Sequence, residues 1–166
     1  PGFAIETGAR LGIPAMFLGG WISDRASVGS LSAPIRWAAS FNAMAAISLG
    51  AYYLAPGRTS LLVIGLVGSL VPGSYGVVIA TAQNLAPPAM RARAAALLST
   101  IPAIVGGFGP PLAGSLSDAL AVDLGRESMR YALLGIALPG YLWAALHFWL
   151  GSRTLARDLE ARAATA

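Results

Sequence analysis

Long apolar runs alternate with short polar connections along the chain. About 20 residues of apolar helix cross a hydrocarbon core of about 30 Å. Five runs are of this kind, and they cover residues 2–22, 37–54, 60–83, 94–116 and 129–150. None of them alternates polar and apolar residues as the strands of a membrane barrel do. The pattern therefore predicts an all-α, polytopic integral membrane protein with five transmembrane helices and a tail at 152–166.

Composition favours lipid over water as the surrounding solvent. Hydrophobic residues make up 56% of the chain and charged residues 11%, against roughly 25% charged in an ordinary globular domain. The charges also cluster between the apolar runs. The absence of Cys excludes disulfides and thiolate metal sites, and we expect neither a metal nor a cofactor. The net charge of +4 comes without a basic face, so we expect no nucleic-acid partner.

The distribution of arginine predicts how the chain is oriented. All eleven basic residues are Arg, and cytoplasmic loops carry an excess of positive charge. One set of alternate connections, together with the tail, holds Arg25, Arg36, Arg91, Arg93, Arg153, Arg157 and Arg162. The other set holds Arg58, Arg126 and Arg130. We therefore expect the first segment to start outside and the tail to lie in the cytoplasm.

The tail allows two interpretations. Leu155 and Leu159 would share one face of a short interfacial helix, and Asp158 and Arg162 have the spacing of an ion pair. The alternative is a frayed, solvated end.

Two ionisable residues lie inside the first apolar run. Glu6 and Arg10 stand one helical turn apart, and Arg10 would lie about 12 Å deep if the helix starts near Gly2. Ionisable side chains at such a depth usually have a functional role. The pair is therefore a candidate binding site for the solute and the coupling ion. It could instead neutralise itself as an i,i+4 pair, or the helix could start later and leave Glu6 in the outer loop. Tyr75 is a third candidate, and its alternative is packing on a neighbouring helix.

Glycine and proline are dense in the apolar runs. Small residues let helices pack closely, and proline removes a backbone hydrogen bond so that a helix can bend. The hinge candidates are Pro72, Gly109, Pro110 and Pro111. Close packing without motion is the other interpretation of the same residues.

The sequence GWISDR, from Gly20 to Arg25, resembles the G-x-x-x-D-R core of the signature loop of the major facilitator superfamily. The resemblance implies that Gly20 permits close helix approach and that Asp24 and Arg25 join a charge network that gates alternating access. Arg91 and Arg93 could join that network or simply enforce topology. The further basic residues of the family pattern are replaced here by ASVG at 26–29.

A longer match supports the same family. The stretches QNLAPPAMRARAAA at 83–96 and GGFGPPLAGSLSD at 106–118, followed by SMRYAL at 128–133, resemble the tenth to twelfth helices of bacterial spinster-like and hexuronate-type members. The resemblance implies a partial fold of that superfamily, with these five segments as helices eight to twelve. We then expect seven further helices, including the N-terminal half, to precede them in the complete protein.

The resemblance implies secondary transport of a small organic solute by alternating access in a bacterial inner membrane. Arg10 inside the first apolar run suggests that the solute is anionic, and Glu6 suggests coupling to protons. An ion gradient, most simply of protons, would drive the transport by symport or antiport. The alternatives are a spinster-like lipid transporter and a non-transporting scaffold or assembly subunit. A membrane enzyme is disfavoured because the chain holds one His, no Cys and no H-E-x-x-H. A nucleotide-driven pump is disfavoured because no phosphate-binding loop occurs.

Overall fold

The computed structural model describes residues 17–22, 24–25, 28, 30, 32–54 and 73–164, and all regular structure in these ranges is helical. After a short helical stretch at 17–22, the helices are α1 (Ala33–Leu54), α2 (Gly73–Leu85), α3 (Arg91–Gly107), α4 (Gly109–Leu124), α5 (Ser128–Ser152) and α6 (Leu155–Ala164). Short 3-10 turns at Pro88–Met90 and Gly125–Glu127 precede α3 and α5. The expectation of an all-α chain is confirmed for the described residues.

The five membrane crossings remain a prediction. Among the described residues, one continuous helical stretch, Pro88–Ser152, is long and apolar enough to cross a membrane, and none of its most apolar part is buried. Helix α1 contains the predicted segment 37–54, α5 contains 129–150, and α2 contains the described end of 60–83. The predicted segment 94–116 is divided between α3 and α4.

Helix α4 extends well beyond the predicted limit at residue 116. Its polar end, which includes Ser117, Asp118 and Asp123, continues the helix to Leu124. The helix stops at Gly125, whose φ of 50° lies in the left-handed region that glycine enters without steric cost. The connection between the fourth and fifth segments is therefore a helix end and a tight turn.

Two short connections fold the chain into helical hairpins. The turn at 125–127 returns α5 onto α4, where a Cβ at Gly135 would lie 3.8 Å from Leu116. The turn at 86–90 returns α3 onto α2. Helix α1 packs on α5 and α2, and α6 contacts α2 and α5. Short helix connections favour antiparallel neighbours.

Small residues form the interface of α1. Its buried side chains are Ile35, Ala38, Ala39, Phe41, Asn42, Ala45, Ala46 and Ser48. Most of them recur at spacings of three and four residues, which places them on one face of the helix. Ala38 and, on α5, Ala132 are fully buried. Alanine allows two helix backbones to approach closely, as helix packing in lipid requires.

The hydroxyl and amide side chains are largely satisfied within their own helices. Asn42 donates to the carbonyl of Ala38 at 2.8 Å, and Thr81 donates to the carbonyl of Val77 at 2.8 Å. Ser99 and Ser152 donate in the same way one turn back. Among the described residues, no buried side-chain polar atom lacks a partner. Such internal satisfaction is what a helix needs where no water is present.

Replacing Ala38 with leucine should destabilise the helical bundle. The methyl group of Ala38 is fully buried, so the larger side chain would push α1 away from its neighbours at a cost of about 1–3 kcal/mol. Ala51→Leu is the matched control because Ala51 lies exposed on the same helix. Thermal unfolding in detergent, followed by circular dichroism, should show a lower Tm for Ala38→Leu alone. Equal effects of the two substitutions would contradict this packing.

Candidate functional site

Three of the predicted site residues lie outside the described residues. These are Glu6 and Arg10, the candidate solute and ion pair, and the hinge candidate Pro72. Their roles stay predictions from the sequence.

Tyr75 lies where α2 packs on α3. Its hydroxyl donates to the backbone carbonyl of Leu98 on α3 at 3.4 Å, and its side chain remains substantially exposed. The contact is what packing on a neighbouring helix predicts, and the exposure leaves part of the ring available to a solute. Sequence reasoning gave both interpretations, and the geometry accommodates them together.

The signature motif ends the first described helical stretch. Asp24 and Arg25 are exposed, and the guanidinium carbon of Arg25 lies 4.5 Å from the centre of the Trp21 ring. This is a cation–π contact, which contributes about 0.5–1 kcal/mol at an exposed site. A Cβ added at Gly20 would meet nothing within 4 Å. Among the described residues, none therefore packs against Gly20 as closely as the motif implies. The gating role remains a prediction.

Arg91 and Arg93 lie in the first turn of α3, where both are exposed. Cationic side chains are unfavourable at a helix N-terminus because the helix dipole is positive there. Their placement is therefore not explained by helix stability. Both predicted roles, a charge network with Asp24 and enforcement of topology, stay predictions.

The hinge candidates mark a break between two helices. Helix α3 ends at Gly107 and α4 begins at Gly109, with Pro110 and Pro111 in its first turn. Phe108 between them keeps helical angles of −80° and −15°, so the backbone stays in the right-handed helical region across the junction. The prolines lack an N–H to donate to the carbonyls of Gly106 and Gly107, so the hydrogen-bond ladder is interrupted between α3 and α4, although proline is well tolerated in the first turn of α4 itself. The structure thus has a weak point where the sequence predicted a hinge, and motion at this point remains a prediction.

Large apolar side chains cover the outside of α3 and α4. Ile104 is 61% exposed and Phe108 is 62% exposed. More than half of the surface is likewise exposed at Leu97, Ile101, Val105 and Leu112. A soluble monomer rarely leaves a contiguous apolar surface of this extent uncovered. Lipid or further helices of a membrane protein would cover it.

The structure also brings together residues that sequence reasoning missed. Ser117 on α4 and Ser128 on α5 are buried, and their hydroxyl oxygens lie 3.0 Å apart. Prolines lie inside α3, at Pro102, and inside α5, at Pro139. The serine pair could not be found from spacing because it depends on how tightly the turn at 125–127 closes. The internal prolines were visible in the sequence and indicate two further places where a helix can bend.

The fold and the surface are those of a helical membrane protein. The described helices are apolar, expose hydrophobic faces, and pair their buried polar side chains within the protein. Part of this chain is similar to a transport protein. It is 40% identical over 86 residues to an "MFS-type efflux pump" of Mycolicibacterium smegmatis, where MFS abbreviates the major facilitator superfamily. The aligned residues make up 51% of this chain and 20% of that pump.

The match covers about a fifth of the length of the curated relative. No family model matches the chain, and no solved structure matches it. The similarity agrees with the superfamily that the motifs resemble. It does not distinguish the spinster-like or hexuronate-type subfamilies, and the assignment to helices eight to twelve stays a prediction.

Proposed function

We propose that the chain is part of a secondary transporter of the major facilitator superfamily that moves a small organic solute across a bacterial inner membrane by alternating access. The observation that carries this proposal is the 40% identity over half of the chain to an efflux pump. The exposed apolar faces of α3 and α4 and the satisfied hydroxyl groups support the membrane setting. The weak point at Phe108 to Pro111 supports bending of a helix during the transport cycle.

The solute we propose is anionic, with Arg10 as its electrostatic partner and Glu6 as the proton carrier. An arginine at the depth predicted for Arg10 would attract a carboxylate or phosphate strongly because the surroundings have a low dielectric constant. The relative is an efflux pump, which favours export. Export that is driven by an ion flowing inward is antiport, and protons can serve as that ion.

The test is transport by the full-length protein in sealed vesicles under an imposed pH gradient. A panel of radiolabelled organic anions is presented with the gradient in the driving direction, and the gradient is then dissipated with a proton ionophore. We expect accumulation of at least one anion that the ionophore abolishes. Gradient-independent leakage, or no movement of any organic solute, would favour the non-transporting scaffold instead.

A further inference from the structure

A small open groove lies at the start of α1. Its volume is about 260 Å³, and its lining residues are Ala33, Arg36, Trp37 and Ser40. Arg36 and Trp37 are exposed within it. A cationic fork and an aromatic ring therefore share one turn of the helix. Ser40 Oγ donates to the backbone carbonyl of Arg36 at 3.0 Å, so Arg36 is the donor that an anion in the groove would meet.

The arginine of this groove is positioned by neighbouring serines. Arg36 Nη2 donates to Ser30 Oγ at 3.0 Å, and that oxygen lies 3.1 Å from Ser32 Oγ. This hydrogen bond uses one donor of the guanidinium, and the Arg36 side chain is exposed. A planar arginine fork held in this way suits bidentate binding of a phosphate.

An apolar stripe continues from the groove along the same helix. Trp37, Met44, Ile47 and Leu54 are exposed on this side of α1, and Ile47 is 73% exposed. From Trp37 to Leu54 the stripe is about 25 Å long at the rise of an α-helix. A cationic groove at one end and a long apolar stripe beyond it match an amphiphile with an anionic headgroup.

The predicted cytoplasmic side of the protein is rich in arginine and tryptophan. Arg153 lies 3.8 Å from the centre of the Trp149 ring, and Arg25 lies 4.5 Å from that of Trp21. On this predicted cytoplasmic side, the described arginines also include Arg36, Arg91, Arg93 and Arg157, against the acidic residues Asp24, Asp158 and Glu160. Tryptophan favours the headgroup level of a bilayer, and clustered arginine attracts the anionic cytoplasmic leaflet.

We propose that the groove of Arg36, Trp37 and Ser40 binds the headgroup phosphate of an anionic phospholipid, whose acyl chain lies along the apolar stripe of α1. Phosphatidylglycerol has the required chemistry, with one negative phosphate and two acyl chains. This site rests on the membrane placement of the chain and not on transport, so it can be tested in protein that carries no solute.

The test measures lipid retention. The chain is purified from bilayers that contain phosphatidylcholine and phosphatidylglycerol, and bound lipids are counted by native mass spectrometry. We expect phosphatidylglycerol to be enriched, and Arg36→Gln to reduce its retention about fivefold, the effect of one interfacial arginine. Arg126→Gln is the matched control because Arg126 is exposed on the predicted opposite side, and it should leave retention unchanged.

Several outcomes would overturn the proposal. They are equal retention of the two lipids, an equal loss in both variants, and displacement of phosphatidylglycerol by millimolar inorganic phosphate, which would indicate a free-phosphate site. Circular dichroism checks that Arg36→Gln keeps its helices. If it does not, a second experiment keeps Arg36 and measures lipid contact by fluorescence. Trp21, Trp143 and Trp149 are changed to Phe, so that Trp37 is the remaining tryptophan and reports quenching by brominated lipid. Phosphatidylglycerol with brominated chains should quench it more than brominated phosphatidylcholine, and equal quenching would overturn the proposal.

Discussion

Replacing Arg10 with alanine is expected to abolish transport by the full-length protein while leaving its abundance in the membrane unchanged. In the predicted first helix, Arg10 lies about 12 Å from the outer end, close to the middle of the bilayer. A charge at that depth costs several kcal/mol unless it is paired or faces water. A protein keeps such an unfavourable charge in the membrane when the charge binds the solute. Replacing Arg10 therefore leaves an anionic solute without its electrostatic partner.

Two further variants make this prediction specific. Arg10→Lys keeps the charge but loses the planar fork, so we expect weak transport with a raised KM. Arg58→Ala removes an arginine from a predicted external connection and should transport normally. Initial rates in vesicles, normalised to protein amount by immunoblot, supply the comparison. Normal rates in Arg10→Ala would show that Glu6 and Arg10 merely neutralise each other.

The double substitution Pro110→Ala and Pro111→Ala is expected to slow turnover severalfold without raising KM. Both prolines lie in the first turn of α4, where a missing N–H costs little stability. Alanine at these positions would supply donors for the carbonyls of Gly106 and Gly107, so that α3 and α4 could form one stiff helix. If bending at Phe108 is part of the transport cycle, a stiffer helix raises the barrier between the two conformations.

Pro102→Ala is the control for this experiment. Pro102 lies inside α3, so its replacement also removes a proline from the same apolar stretch, but away from the break. We expect its effect on turnover to be smaller than that of the double variant. Similar rates for the double variant and the wild type, with a Tm that is unchanged or raised, would show that the break at 108 serves packing and not motion.

Hydrophobic patterning located two helices of the described residues well. The predicted segments 37–54 and 129–150 lie within α1 and α5, because uninterrupted apolar runs of this length have few alternatives to a helix in lipid. Patterning did not predict the end of α4. The polar residues after 116 resemble a loop in composition, yet they continue a helix until Gly125 provides the positive φ that ends it.

The candidate site was less predictable than the helices. The cluster Gly109 to Pro111 could be recognised as a break because proline acts locally, on the backbone of its own helix. The contact of Tyr75 with Leu98 and the pair of Ser117 with Ser128 depend on how two helices meet. The position of Arg36 against Ser30 depends on the fold of the residues before α1. Such tertiary contacts leave no periodic signal in a single sequence.

The central claim is that the chain crosses the membrane several times with its arginine-rich side in the cytoplasm, and cysteine labelling tests it most directly. The chain has no Cys, so single cysteines can be introduced without background. Val28 and Val122 are both 90% exposed, and they are predicted to lie on the cytoplasmic and the external side. With a membrane-impermeant maleimide on intact spheroplasts, Val122→Cys should label at once and Val28→Cys only after permeabilisation. Immediate labelling of both, or the reverse pattern, would contradict the claim.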